Sequence, residues 1–158
     1  MFKGKYIFPF FILIIPVIYF AKNLFPPKNI RYDAKIKIAS SEINVQLAKT
    51  PEEKSKGLSG KNKLAGNEGM LFSFPQKTYP IFWMKDMKFN IDLLWINDDK
   101  VLGIEKNMPA PLAGTEDKDL LIYSSAEPVN RVLEINGGLV DQYGLKVGDS
   151  LEYQNINF

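Results

Sequence analysis

The chain contains neither cysteine nor histidine. Those two absences remove a thiolate nucleophile, a neutral imidazole able to act as a base near pH 7, every disulfide, and the nitrogen and sulfur ligands that zinc and copper take. Serine-histidine-aspartate triads, papain-like sites and structural zinc are excluded with them. The chemistry that remains belongs to carboxylates, lysine, hydroxyls or a hard oxygen-bound metal such as calcium or magnesium. Lack of cysteine does not name a compartment, since an exported domain can do without disulfides. Long hydrophobic runs are scarce too, and one charge-free stretch, residues 6–21, stands apart from an otherwise mixed sequence. No internal repeat or low-complexity segment is present.

That stretch sits between Lys3 and Lys5 on one side and Lys22 on the other. As a helix its sixteen residues reach roughly 24 Å, short of a hydrocarbon core about 30 Å thick unless the flanking lysines snorkel and Leu24 and Phe25 occupy the interface. The length suits a signal-peptide core or a short single anchor. A cut after Ala21 would place bulky Tyr19 at the position where cleavage favours a small residue, so an uncleaved anchor is the preferred reading. Pro9 and Pro16 argue against a buried helix of a water-soluble core. The sequence therefore divides into an N-terminal membrane anchor or signal segment (1–22), a linker (23–33) stiffened by Pro26 and Pro27, and a single β-rich domain (34–158). With a basic stub leading the chain, the expected placement is membrane-anchored with the domain outside the cytoplasm, or secreted if the segment is cleaved.

Setting the N-terminal region aside changes the charge balance. Five of the 20 basic residues precede Asp33 and no acidic residue does, which leaves 15 positive against 18 negative side chains. A mildly acidic domain argues against nucleic acid, which asks for a basic stripe with interleaved aromatics.

From residue 34 onward the pattern is mostly that of strands. Residues 34–39 and 43–48 alternate apolar with polar side chains around Ser40-Ser41-Glu42, a hairpin with one buried face. Thr50-Pro51-Glu52-Glu53 is a helix start, with Thr50 as N-cap, Pro51 at the first helical position and Glu53 completing a capping box; Gly57 and Gly60 close the helix. Further strands are expected at residues 70–74, 81–84, 91–96, 101–106, 120–124 and 132–135, with an irregular loop over 107–119 and a last short helix within 137–144. The predicted fold is mostly β (α+β), a compact antiparallel barrel-like domain with two short helices, preceded by the N-terminal hydrophobic helix.

Two apolar islands dominate that domain: Gly69-Met70-Leu71-Phe72-Ser73-Phe74, and Phe82-Trp83-Met84-Lys85-Asp86 running on into Asn90-Ile91-Asp92-Leu93-Leu94-Trp95-Ile96. Together with Val132-Leu133-Glu134-Ile135-Asn136-Gly137 they resemble domain-of-unknown-function family 192 (DUF192). There a Gly-Met-Leu-Phe strand is followed by a Phe-Trp-Met-Lys strand and a Leu-Asp-rich one. The resemblance spans residues 43–152 and implies the same barrel-like fold, but no activity, since the family has none established. The chain departs from the family pattern at Ser59, where a Gly-Leu-Met sequence usually ends, and at Asp86-Met87, where Asn-Thr is usual.

The candidate site residues are Trp83, Lys85, Asp92 and Glu134. Strand alternation admits two phasings. One turns Phe82 and Met84 inward and places Trp83 and Lys85 together at the surface; the other buries Trp83. Asp92 and Glu134 interrupt apolar strands, where a carboxylate needs either solvent or a partner such as Lys85, Lys88 or Arg131. If they converge with Lys85 on one concave face, two readings open. One is a binding or accessory module, its cleft floored by Trp83, Lys85 and Asp92 and edged by the 107–119 loop, taking a small polar ligand, an envelope glycan or an exported protein. The other is an envelope hydrolase with Asp92 and Glu134 as its two carboxylates. A structural interaction domain presenting a flat apolar patch is a third. No cofactor is implied. Asn97-Asp98-Asp99 and Glu116-Asp117-Asp119 lack the spacing and glycine of a calcium loop, so no metal ligands are assigned.

Overall fold

In the computed structural model, which describes residues 32–156, the first alternating stretch folds as a hairpin of β1 (Ala34–Ile38) and β2 (Ser41–Ala48), with Ile36 opposite Ile43. Ile36, Ile38, Ile43 and Val45 are fully buried, while Lys35 turns outward and pairs with Glu42 at 2.7 Å. Helix α1 (Pro51–Lys56) begins as its sequence dictates. The Thr50 hydroxyl accepts from the Glu53 amide at 3.2 Å, and the Glu53 carboxylate accepts from the amides of Thr50 and Lys49. Those backbone hydrogen bonds, that from Thr50 foremost, hold the Glu53 carboxyl below its ordinary pKa.

The segment after α1 crosses over so that β3 (Glu68–Thr78) pairs parallel to β2; the other strand pairings are antiparallel. The remaining elements are β4 (Ile81–Trp83), β5 (Ile91–Asn97), β6 (Lys100–Met108), β7 (Ile122–Ser124), β8 (Val129–Asn136), α2 (Leu139–Tyr143) and β9 (Leu151–Gln154). Seven strands form one sheet in the order β6-β5-β8-β3-β2-β1-β9. It curls into a half-barrel. Its two edges meet at one end, where Val101 donates to the carbonyl of Asp149 at 2.9 Å and Leu151 to that of Asp99 at 2.7 Å, beside a single bridge between Lys100 and Ser150. The other end stays open, so the expected barrel is realised as a half-barrel. Strands β4 and β7 pair only with each other, through three residues each.

Both faces of the central strands are covered. One face carries Ile36, Leu71, Leu94, Leu133 and Ile135, packed with Leu139 and Val140 of α2; the opposite face carries Phe72, Leu93, Trp95 and Val132, packed with Leu58, Met84 and Met87. This is why β5 is buried from Ile91 through Ile96 without a break, where a half-wet strand would alternate. Asp92 therefore has no wet face to occupy and Glu134 is all but buried, contrary to one of the sequence-based expectations.

Gly69, which opens the Gly-Met-Leu-Phe motif, lies where the strands leave no room. A Cβ there would stand 2.7 Å from the Glu134 carbonyl oxygen on the adjacent strand. Gly69→Ala is expected to lower stability by about 1–3 kcal/mol, read as a lower urea midpoint with an unchanged slope.

The proposed anchor at residues 6–21 and most of the linker lie outside the described residues. Among the described residues no helix is long and apolar enough to cross a membrane.

Candidate functional site

Glu134 sits mid-strand on β8, between Met70 of β3 and Leu93 of β5. Its side chain shares the sheet face of Phe72 and Trp95 and is only 5% exposed. The Oε2 atom has no hydrogen-bond partner among the described residues. Burial alone pushes the carboxyl up to about 8, because no neighbouring cation or donor offsets the loss of water around the charged form.

A cleft of about 390 Å³ opens above this carboxyl, with Phe72, Phe82 and Trp83 as aromatic walls and Lys54 and Lys56 of α1 also on its lining. Its shape follows from local packing. The rings of Phe72 and Phe82 meet edge to face at 4.9 Å, and Phe82 meets Trp95 the same way at 5.7 Å, which fixes β4 against the main sheet. Gly57 ends α1 with φ of +48°, and a Cβ there would come within 3.3 Å of the Phe72 ring and 3.9 Å of Glu134 Oε2. A glycine lets the helix end pass close over the carboxyl in a conformation that other residues rarely adopt. The next turn is tied down by the Ser59 hydroxyl, which donates to the Lys85 carbonyl at 2.7 Å, and by the Gly60 amide, which donates to that of Asp86 at 3.0 Å. Ser59, the departure from the family pattern, thus holds α1 against the end of β4.

Trp83 is 47% exposed while Phe82 points inward, the first of the two phasings. The Lys85 ammonium lies 5.5 Å from the centre of the Trp83 ring and pairs with Asp117. That hydrogen bond is the main reason the lysine pKa is raised. Lys85 does not line the Glu134 cleft. It belongs to an adjoining depression, which shares Lys56, Ser59 and Met87 with the cleft and is also lined by Pro111, Leu112, Thr115 and Asp117 of the loop expected to edge a single site. Of that loop, residues 107 and 108 continue β6, and Asp117–Asp119 form a single 3-10 turn.

Asp92 is fully buried on the other side of the sheet. Its register partner on β8 is Ile135, one residue from Glu134, so the two carboxylates project from opposite faces. Its oxygens accept from the amide of Asn107 at 2.6 Å and from that of Val140, in the first turn of α2, at 2.7 Å. Asp92 neither floors the cleft nor flanks a common bond with Glu134, so the two-carboxylate hydrolase has no geometry behind it. The structure brings Trp83 and Glu134 together, leaves Lys85 at a neighbouring depression, and turns Asp92 away. Sequence reasoning passed over Gly57, Phe72, Lys54 and Lys56 as site residues. A glycine ending a lysine-bearing turn was the available signal, and it was fully accounted for as a helix stop. Among the described residues no group of three or more acidic, histidine or cysteine side chains is placed to hold a metal ion.

The model of the family described as uncharacterised ACR, DUF192, matches residues 34–153. A crystal structure of a protein from Sinorhizobium meliloti 1021, provisionally described as a transcription regulator, is 30% identical. It aligns over 80% of this chain and 98% of its own with a TM-score of 0.69. A protein of unknown function from Novosphingobium aromaticivorans DSM 12444 is 28% identical over 81% of this chain and 89% of its own, with a TM-score of 0.68. No curated protein matches.

Proposed function

We propose that the β-rich domain of this chain, which belongs to the uncharacterised DUF192 family, is a binding module for a small polar ligand with one flat face. The observation that carries this reading is the unpartnered, buried Glu134 carboxyl at the bottom of an aromatic-walled cleft. A stable fold gains nothing from such a group, whereas a ligand that hydrogen-bonds it recovers the energy lost on burial. Membrane tethering and a place outside the cytoplasm belong to the same proposal and rest on residues 6–21 alone. The provisional description of the Sinorhizobium relative as a transcription regulator is not carried over, because the domain's acidic balance disfavours a nucleic-acid partner.

One observation favours a second reading, an interaction domain. Tyr79, Ile81, Trp83, Leu121 and Ile122 are all exposed on or beside the β4–β7 pair. The two readings separate in one experiment. The full chain is unfolded thermally in the presence of sugars, amino acids and divalent ions. A ligand at one hundred times its dissociation constant should add about 2.7 kcal/mol, a shift on the order of ten degrees. Trp83→Ala, a change at an exposed ring, should abolish the shift while leaving the unliganded midpoint within a degree or two. Retention of the shift in that variant would remove Trp83 from the site. No shift with any compound would favour the interaction domain.

A further inference from the structure

Two lysines and one titratable carboxyl group line the Glu134 cleft. An unpartnered carboxyl oxygen lies at its buried end, and Lys54 and Lys56 line it from the last turn of α1, neither in a salt bridge with a carboxylate among the described residues. Lys54 rests 4.7 Å above the Phe74 ring. The rings of Phe72, Phe82 and Trp83 line the same cleft. Each ring presents a negative face suited to a cation. A neutral sugar would use the rings but leave the lysines unpaired, and a simple carboxylic acid would pair with the lysines but bring no cation to Glu134.

We propose that the cleft binds a small zwitterion carrying a primary ammonium group, of the amino-acid or dipeptide class, which enters ammonium first to pair with Glu134 while its carboxylate meets Lys54 and Lys56. This rests on the binding-module reading and names its ligand class. About 390 Å³ is room for one such molecule. The charged groups of the surrounding elements do not compete for Glu134. Glu105 of β6 accepts from the Trp95 indole at 3.3 Å, Lys85 is paired with Asp117, and the neighbours of Glu134 on β3 and β5 are the apolar Met70 and Leu93.

A proton balance follows. In the empty cleft at neutral pH Glu134 holds its proton, since burial places its pKa at about 8. An arriving ammonium favours the carboxylate, so one proton leaves Glu134 for solvent as the ion pair forms. Affinity therefore rises about tenfold per pH unit from pH 6 toward 8 and levels off above it.

The test is calorimetric titration of the full chain at pH 6, 7 and 8, in buffers of different ionisation enthalpy. The probes are glycine, L-leucine, L-phenylalanine, Gly-Leu, leucinamide, 4-methylpentanoate and glucose. At least one zwitterion should bind with release of close to one proton at pH 6 and 7. Leucinamide should be weaker than leucine by the loss of its carboxylate, and 4-methylpentanoate should not bind. Glu134→Gln should weaken zwitterion binding at least tenfold and abolish both proton release and pH dependence. Binding of 4-methylpentanoate as tight as that of leucine, or zwitterion binding without proton release, overturns the inference. Glucose bound in place of the zwitterions, and lost in Trp83→Ala, overturns the ammonium assignment while the binding module stands. Silence from every probe at pH 8, where the carboxyl is half ionised, overturns both.

Discussion

Asp92→Asn is expected to be the most damaging single polar substitution in the domain, at a cost of about 3 kcal/mol. Both oxygens of this fully buried carboxylate accept from backbone amides, those of Asn107 and Val140. An asparagine must point its NH₂ group at one of these donors, which loses a charge-assisted hydrogen bond and buries two donors face to face. The residues it holds explain why the damage spreads. Asn107 has φ of +50° and lies where the β5–β6 register slips between Ile91 and Leu93. Val140 belongs to a five-residue helix whose N-cap, Gly138, has no side chain to cap it. Asp92 thus stabilises an irregular strand and supplies the missing cap from a neighbouring strand. Urea unfolding should show the lowered midpoint. Amide exchange should show early loss of protection at Asn107 and Val140, and an unchanged midpoint together with intact protection at both amides would refute the assignment.

Glu134→Gln should behave in the opposite way, gaining on the wild type as pH rises. The folded-state pKa of Glu134 is raised to about 8 from 4.5. Between those values the folded protein holds a proton that the unfolded chain has released, so wild-type stability falls with increasing pH by up to about 1.4 kcal/mol per unit and flattens above pH 8. Glutamine does not ionise and carries no such slope. From pH 4.5 to pH 7 the variant should therefore gain about 3 kcal/mol relative to wild type. Parallel stability curves for the two proteins across pH 4.5 to 8 would mean that Glu134 is solvated or paired in solution. The same stability curves establish that the variant is folded under the conditions of the binding experiment, so loss of ligand in it reports on the site.

These two carboxylates also show how far the sequence reaches. Both stood out because each interrupts an apolar strand, and that pattern is visible in one dimension. Their fates differ because of strand order. β5 and β8 lie side by side with a register that puts Asp92 opposite Ile135 and Leu93 opposite Glu134. One residue of offset sends one group toward α2 and the other into the cleft. Trp83 illustrates the same boundary. Alternation supplied two phasings, and the Phe72–Phe82–Trp95 ring contacts chose the one that exposes it.

By itself the sequence determined what depends on neighbours along the chain. The β1–β2 hairpin follows from alternation, the start of α1 from the Thr50–Glu53 capping box, and the excluded chemistries from the missing cysteine and histidine. Tertiary structure decided what depends on neighbours across the sheet. It left the half-barrel open at one end, set β4 and β7 apart, and put Lys85 in a depression beside the Glu134 cleft instead of in the cleft itself. The physical reason is that capping and periodicity are satisfied within a few residues, whereas burial of a side chain is settled by strands distant in sequence that cover its face.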